Sequence, residues 1–147
     1  MGAALRCSPS PSNEVEPRSF DASRERRAPK QLRGLSLSGV ERSIEVTSST
    51  LVAAIKPNCD GCSAFVHGDL KELRDVNVVL VSATRGNDEW DSAGREILVA
   101  PDLLNELGIR SAPYYVLIDP SSSSVVTEGA LLSPAQVARE IERYIVR

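Results

Sequence analysis

The chain has too few cysteines to be a small secreted scaffold held together by disulfides. Only three occur in 147 residues: Cys59 and Cys62 lie close together, whereas Cys7 stands alone in a polar segment. Disulfide-dependent secreted domains carry many cysteines, usually in even numbers. The hydrophobic content of 41% is instead sufficient for one soluble domain with an ordinary apolar core.

Aromatic residues and long apolar runs are also scarce. Aromatics make up 4% of the chain, so aliphatic side chains must fill most of the core. No stretch approaches the roughly 18 apolar residues that a transmembrane helix needs, and residues 1–7 lack the apolar segment of a secretory signal. These absences predict a cytoplasmic protein without a membrane span. The alternative, should the N-terminus be incomplete, is an exported or membrane-tethered one.

Charge is unevenly distributed along the chain. Residues 1–42 contain more Lys and Arg than Asp and Glu, whereas residues 43–147 are acidic overall. Nucleic-acid binding needs a basic face, so the acidic part argues against a nucleic-acid partner. Residues 1–42 are also rich in serine and proline and lack apolar periodicity, which predicts a disordered polar tail. We therefore expect the folded domain to span residues 43–147.

Two kinds of apolar pattern alternate within residues 43–147. Alternating or continuous apolar runs indicate strands, and three- to four-residue spacing indicates helices. The strands are predicted at 43–47, 51–55, 76–81, 97–99, 114–118 and 124–129. The helices are predicted from Cys62 to Leu73, from Asp102 to Leu107, and after a capping box at Ser133. This order predicts an α/β domain with a central mixed β-sheet flanked by helices.

The sequence Cys59-Asp60-Gly61-Cys62 lies where the strand at 51–55 gives way to the first helix. The unpaired N–H groups and the positive end of a helix dipole stabilise a thiolate at such a position. Two thiols separated by two residues let one sulfur attack a disulfide and the other resolve the intermediate. A C-x-x-C in a β-α-β context therefore predicts a redox-active dithiol.

The order of elements, with C-x-x-C at the first helix and Ala112-Pro113 before the final β-β-α, resembles the thioredoxin superfamily over about residues 48–147. The extra residues between Ser82 and Asp102 resemble the insertion of TlpA-type members. The resemblance implies a thioredoxin-like fold, a cis Ala112–Pro113 bond, and a substrate groove that Ala112 and Pro113 help to form.

The resemblance also implies a thiol-disulfide oxidoreductase with Cys59 as nucleophile and Cys62 as resolving cysteine, acting in electron transfer and cell redox homeostasis. It would need no metal or other cofactor. Its partners would be a disulfide-containing protein or small molecule and a thiol donor such as a reductase. The negative charge of Asp60 disfavours a thiolate at Cys59, which favours the role of reductant.

Three positions depart from the thioredoxin pattern. Asn58 stands where thioredoxins usually have tryptophan, Ala53 stands where they have a buried acid, and Gly61 replaces a common proline and loosens the turn. The missing acid would otherwise help to deprotonate the resolving cysteine. These departures favour a dedicated oxidoreductase over a general-purpose thioredoxin.

Other functions remain open at the level of sequence. The chain could be a redox-silent binding or assembly module that holds an extended peptide, since a fold does not fix a function. A zinc site would have to recruit Cys7 and His67, and a peroxiredoxin-like site would need a threonine that the residues before Cys59 lack. Trp90, within the insertion, is expected to pack under its own loop.

Overall fold

A seven-stranded sheet forms the centre of the protein, whose computed structural model describes residues 26–86, 88–91 and 94–145. The strands are β1 (Gln31–Leu35), β2 (Glu41–Glu45), β3 (Thr50–Ile55), β4 (Asn77–Ser82), β5 (Ile97–Val99), β6 (Tyr114–Asp119) and β7 (Ser124–Ala130). The helices are α1 (Asp60–His67), α2 (Pro101–Glu106) and α3 (Pro134–Ile141). Short 3-10 turns occupy Lys71–Leu73, Asp88–Trp90 and Glu142–Tyr144.

The sheet is mixed, as predicted, and its strand order is β2-β1-β5-β4-β3-β6-β7. The central strand β3 runs parallel to β4 and antiparallel to β6. Every residue of β3 is buried, because alternate side chains enter two apolar clusters on opposite faces of the sheet. One cluster includes the buried residues of α2, and the other includes those of α1 and α3.

Residues 26–42 belong to the folded domain, which corrects the predicted boundary at residue 43. The hairpin of β1 and β2 adds two strands to the sheet, and Leu32 is fully buried. Before it, the Ala28 N–H donates to the Ser123 carbonyl at 2.8 Å, and the Val125 N–H donates to the Arg26 carbonyl at 2.9 Å. The rest of the predicted tail, residues 1–25, lies outside the described residues.

The position of β1 depends on a close approach that its local sequence does not reveal. A Cβ atom on Gly34 would come within 2.7 Å of the Ala100 Cβ and 2.8 Å of the Val99 carbonyl oxygen. Only glycine therefore lets β1 lie this close to the end of β5, where Leu35 pairs with Val99.

Helix boundaries follow local chemistry and differ partly from the prediction. The first helix ends at His67 rather than Leu73, because Gly68 has extended backbone angles (φ −86°, ψ −179°) that do not continue the helix. Helix α2 begins with Pro101, so Ala100 and not Asp102 is its N-cap. The capping box of Ser133 and Gln136 is confirmed at the start of α3.

The insertion between β4 and β5 packs against the domain. Trp90 is buried, as expected, and its ring lies against Gly86, where a Cβ would come within 2.7 Å of the indole. The Arg85 Nε donates to the Leu37 carbonyl at 2.8 Å, which joins the insertion to the turn between β1 and β2.

Leu32→Ala tests the corrected domain boundary. We expect it to lower the free energy of unfolding by about 2–5 kcal/mol, because it removes a fully buried leucine from the core. Leu35→Ala is the matched control in the same strand: that side chain is 42% exposed, and we expect its loss to cost less than about 1 kcal/mol. Chemical denaturation measures both. Equal effects would show that β1 is not part of the cooperative core.

Candidate functional site

The two cysteines of the C-x-x-C lie at the start of α1 and form a disulfide, with their Cα atoms 5.2 Å apart. Cys59 is the N-cap of the helix, and its sulfur accepts a hydrogen bond from the Cys62 N–H at 3.2 Å. A sulfur in this position meets both the unpaired N–H groups and the positive end of the helix dipole. The arrangement therefore stabilises a thiolate on Cys59 when the disulfide is reduced.

The two sulfurs differ in their access to solvent. Cys59 is half-buried, whereas Cys62 is 1% exposed and lies in the apolar cluster that contains Phe65 and Val66. An incoming disulfide can therefore approach Cys59 more readily than Cys62. The intervening Asp60 is exposed and Gly61 is half-buried.

A tight turn delivers the chain from β3 to the dithiol. Asn58, directly before Cys59, has a φ of 58°, in the left-handed region. Asparagine tolerates this region better than most residues because its short side chain can hydrogen-bond locally. The asparagine that departs from the thioredoxin pattern thus suits the local backbone.

The Ala112–Pro113 peptide bond is cis, as the resemblance implied. It directly precedes β6, and the antiparallel register pairs Tyr114 with Ala54 near the end of β3. The start of β6 and the turn into α1 therefore lie at the same end of the sheet. Cys59 and Pro113 are more than fifty residues apart in sequence, and the pairing of β3 with β6 brings their segments to this end.

The loop between β7 and α3 completes the site, and sequence reasoning missed it. The Leu131 N–H donates to the Pro113 carbonyl at 3.5 Å. The Leu131 carbonyl oxygen lies 3.5 Å from the place a Cβ would occupy on Gly61, so this one residue joins the dithiol turn to the cis-proline. The neighbouring Leu132 is 64% exposed.

Polar side chains of α3 hold this loop in place. Gln136 accepts hydrogen bonds from the N–H groups of Leu132 and Ser133 at 3.0 and 3.2 Å, and its amide donates to the Ala130 carbonyl at 3.0 Å. The capping box in the sequence signals the start of the helix. It carries no signal that Gln136 also fixes the loop beside the dithiol.

Below the loop, the buried Tyr115 hydroxyl donates to Glu140 Oε1 at 2.6 Å. This hydrogen bond, aided by Gln136, lowers the pKa of Glu140. Burial and then the bond to Glu140 raise the pKa of Tyr115. Gly129, which pairs with Tyr115 across β6 and β7, leaves the space that the ring occupies.

Ala53 is fully buried beneath the site, as is expected of a residue in the central strand. It pairs with Leu80 on one side and Tyr115 on the other. Among the residues that the structure describes, no carboxylate is buried. No buried acid from this part of the chain is therefore available to receive the proton of Cys62.

A metal site finds no support in the described part of the chain. No group of three or more His, Cys, Asp and Glu side chains there is arranged to hold a metal ion. His67 is exposed in the last turn of α1, at the opposite end of the helix from Cys59. Cys7 lies outside the described residues.

The Tyr115–Glu140 pair predicts a pH-dependent contribution to stability. Because the folded-state pKa of Glu140 is lowered, its contribution is complete above the ordinary pKa of glutamate and is lost as the pH falls through the lowered value. Glu140→Gln should therefore unfold with a weaker pH dependence than wild type between about pH 5 and 3. Tyr115→Phe should lower the free energy of unfolding at pH 7 by about 0.5–1.5 kcal/mol.

Denaturant unfolding measures both effects, between about pH 5 and 3 for Glu140→Gln and at pH 7 for Tyr115→Phe. Glu142→Gln, which removes a nearby exposed glutamate, is the control and should keep the wild-type pH dependence. If the free energy of unfolding of Glu140→Gln kept the wild-type pH dependence, the stabilising role of the ionised Glu140 would be contradicted.

No protein-family model matches the chain, and no curated protein matches its sequence. Solved structures do resemble it. The thioredoxin domain of a thiol-disulfide oxidoreductase from Bacteroides vulgatus is 17% identical, with 84% of this chain and 99% of that chain covered and a TM-score of 0.60. A DsbF homologue from Corynebacterium diphtheriae is 13% identical, with 90% and 98% covered and a TM-score of 0.61.

A third similar structure is a secreted disulfide oxidoreductase from Mycobacterium tuberculosis, 14% identical, with 77% of this chain and 96% of that chain covered and a TM-score of 0.53. Identities this low establish a fold and do not transfer an activity. The mixed seven-stranded sheet with flanking helices agrees with the fold of these structures. The chain therefore has a thioredoxin-like fold.

Proposed function

We propose that the protein is a thiol-disulfide oxidoreductase. The observation that carries this proposal is the pairing of an accessible sulfur, Cys59, with a buried sulfur, Cys62, at a helix N-terminus beside a cis-proline. The similar solved structures, which include a thiol-disulfide oxidoreductase and a disulfide oxidoreductase, support it.

The reaction begins with the reduced protein. The Cys59 thiolate attacks one sulfur of a substrate disulfide, the S–S bond breaks, and the other substrate sulfur leaves as a thiolate that takes up a proton. The mixed disulfide is resolved when Cys62 loses its proton and attacks the Cys59 sulfur. The second substrate sulfur then leaves and is protonated. Two electrons have passed to the substrate, and the protein is left with the Cys59–Cys62 disulfide.

An extended segment of the substrate would lie along the cis-proline. Backbone groups at Ala112 and Pro113 would pair with it as an added strand, which gives affinity without strong sequence preference. The opposite wall would be the loop of Leu131 and Leu132, which lies near Gly61 and donates a backbone hydrogen bond to Pro113. A disulfide-containing protein or small molecule is the partner this groove suits. A separate thiol donor, such as a reductase, would return the disulfide to the dithiol.

Reduction of the substrate is the direction we favour. Asp60 lies in the first turn of α1 beside Cys59, and its negative charge opposes a thiolate there. A less stable thiolate favours the disulfide form of the protein and so makes the dithiol a better reductant. Gly61 offers no side chain to counter this effect.

We propose an exported location in place of the predicted cytoplasmic one. The cytoplasmic prediction has no support among the similar structures, one of which is described as secreted and another as an exposed lipoprotein of Streptococcus pneumoniae. Among the described residues, no helix combines the length and the apolar character needed to cross a bilayer.

Serine substitutions at the two cysteines test the proposed roles. With insulin as the disulfide substrate and dithiothreitol as the donor, we expect wild type to accelerate reduction and Cys59→Ser to show only the uncatalysed rate. Cys62→Ser should accumulate a mixed disulfide through Cys59, because the resolving thiol is missing. Insulin turbidity and the mass of the non-reduced adduct are the readouts.

Cys7→Ser is the control, because Cys7 has no role in the proposed mechanism, and it should retain the wild-type rate. Reduction by Cys59→Ser at the wild-type rate would contradict the mechanism. Inactive wild type that still binds an extended peptide would favour the alternative, a redox-silent binding module.

A further inference from the structure

The C-terminal end of α1 is closed by a side chain from the insertion. Arg95, two residues before β5, donates from Nη1 to the Phe65 carbonyl at 3.2 Å and to the Val66 carbonyl at 3.0 Å. The backbone itself closes this turn through a single bond, from the Gly68 N–H to the Ala64 carbonyl at 3.0 Å. The redox helix is therefore tied at its far end to the segment that joins β4 to β5.

Arg95 supplies hydrogen-bond donors to carbonyls that lack a donor within α1. The last four carbonyls of any helix lack an intrahelical donor. Phe65 and Val66 have buried side chains, so their carbonyls lie where water only partly reaches. A cation at this position also faces the negative end of the helix dipole. With eight residues, α1 is too short to be stable without such contacts.

The contribution of the Arg95 contact to stability depends on the redox state of the dithiol. In the disulfide form, the Cys59–Cys62 bond closes the first turn of α1 covalently. Reduction removes that constraint and leaves the first turn to the helix hydrogen bonds, on which a Cys59 thiolate also depends. A contact that keeps α1 helical therefore contributes more to the dithiol form than to the disulfide form. A cation placed at the C-terminal end of α1 also favours the thiolate at its start.

We propose that Arg95 is a positioning residue for the dithiol, and that by closing the last turn of α1 it shifts the Cys59–Cys62 equilibrium toward the reduced form. The proposal rests on the proposed oxidoreductase function. Arg95 contacts the carbonyls of Phe65 and Val66 rather than the sulfurs. At 1.5 Å per residue, these carbonyls lie about 9–10.5 Å along α1 from Cys59 and about 4.5–6 Å from Cys62. It acts through the helix that carries them.

Other arginines nearby do not share this position. Arg85, on the same insertion, donates to the Leu37 carbonyl and pairs with Asp91. Arg42 pairs with Glu96. Arg85→Gln is therefore a matched control: it removes the same charge and a bond to a backbone carbonyl that is not part of α1.

Redox titration against glutathione tests the proposal. We expect Arg95→Gln to disfavour the reduced form by about two- to fivefold in the equilibrium constant, a shift of about 9–21 mV toward more negative potential. Arg95→Lys, which keeps the charge and can reach one carbonyl, should show a smaller shift. Arg85→Gln should titrate like wild type.

Denaturant unfolding of the oxidised and reduced forms completes the thermodynamic cycle. Under the proposal, Arg95→Gln destabilises the reduced form more than the oxidised form. Equal destabilisation of both forms, with an unchanged potential, would reduce Arg95 to a purely structural role and overturn the proposal. If Arg95→Gln does not fold, Arg95→Lys decides, since the proposal requires a measurable shift in that variant too.

The two proposals fail in different ways. A wild-type pair that does not cycle between dithiol and disulfide overturns the proposed function, and the role of Arg95 with it. A wild-type pair that cycles normally, with Arg95→Gln titrating like Arg85→Gln, overturns only the role of Arg95.

Discussion

The antiparallel register between β3 and β6 is the constraint on which the site depends. It sets Tyr114 beside Ala54, so the chain leaving β3 toward Cys59 and the chain entering β6 from Pro113 meet at one end of the sheet. A slip of one residue would move each apolar β3 side chain from its own apolar cluster into the opposite one. A dithiol and a cis-proline that are distant in sequence thus lie at the same end of the sheet.

Much of this arrangement could be predicted from sequence, because its signals are local. The continuous apolar run of β3, the C-x-x-C at a helix start and the proline before β6 each occupy a few adjacent residues. What escaped prediction depends on distant contacts. β1 has a single fully buried residue, Leu32, and pairs with the rest of the sheet at Leu35, opposite Val99 of β5. The contact of Leu131 with Gly61 and the bonds of Arg95 to α1 likewise exist only in the folded chain.

The site is supported from both ends of its helix. At the start of α1, the loop of Leu131 rests against Gly61 and is held by Gln136. At the end of α1, Arg95 of the insertion donates hydrogen bonds to the carbonyls of Phe65 and Val66. Ala53 leaves the interior beneath Cys62 apolar, where thioredoxins have an acid. The described part of the domain thus has the C-x-x-C at a helix start without a buried acid beneath it.

The equilibrium reduction potential of the Cys59–Cys62 pair is the most direct test of the proposed redox function. Alkylation and mass analysis across a dithiothreitol or glutathione series would follow the pair in the wild-type chain. If the protein is a reductant, the pair should show a reversible two-electron transition at or below about −250 mV, in the range of thioredoxin-type reductants. A value between about −180 and −120 mV would contradict the proposed direction and indicate an oxidant or isomerase. A pair that never cycles would contradict the redox function itself.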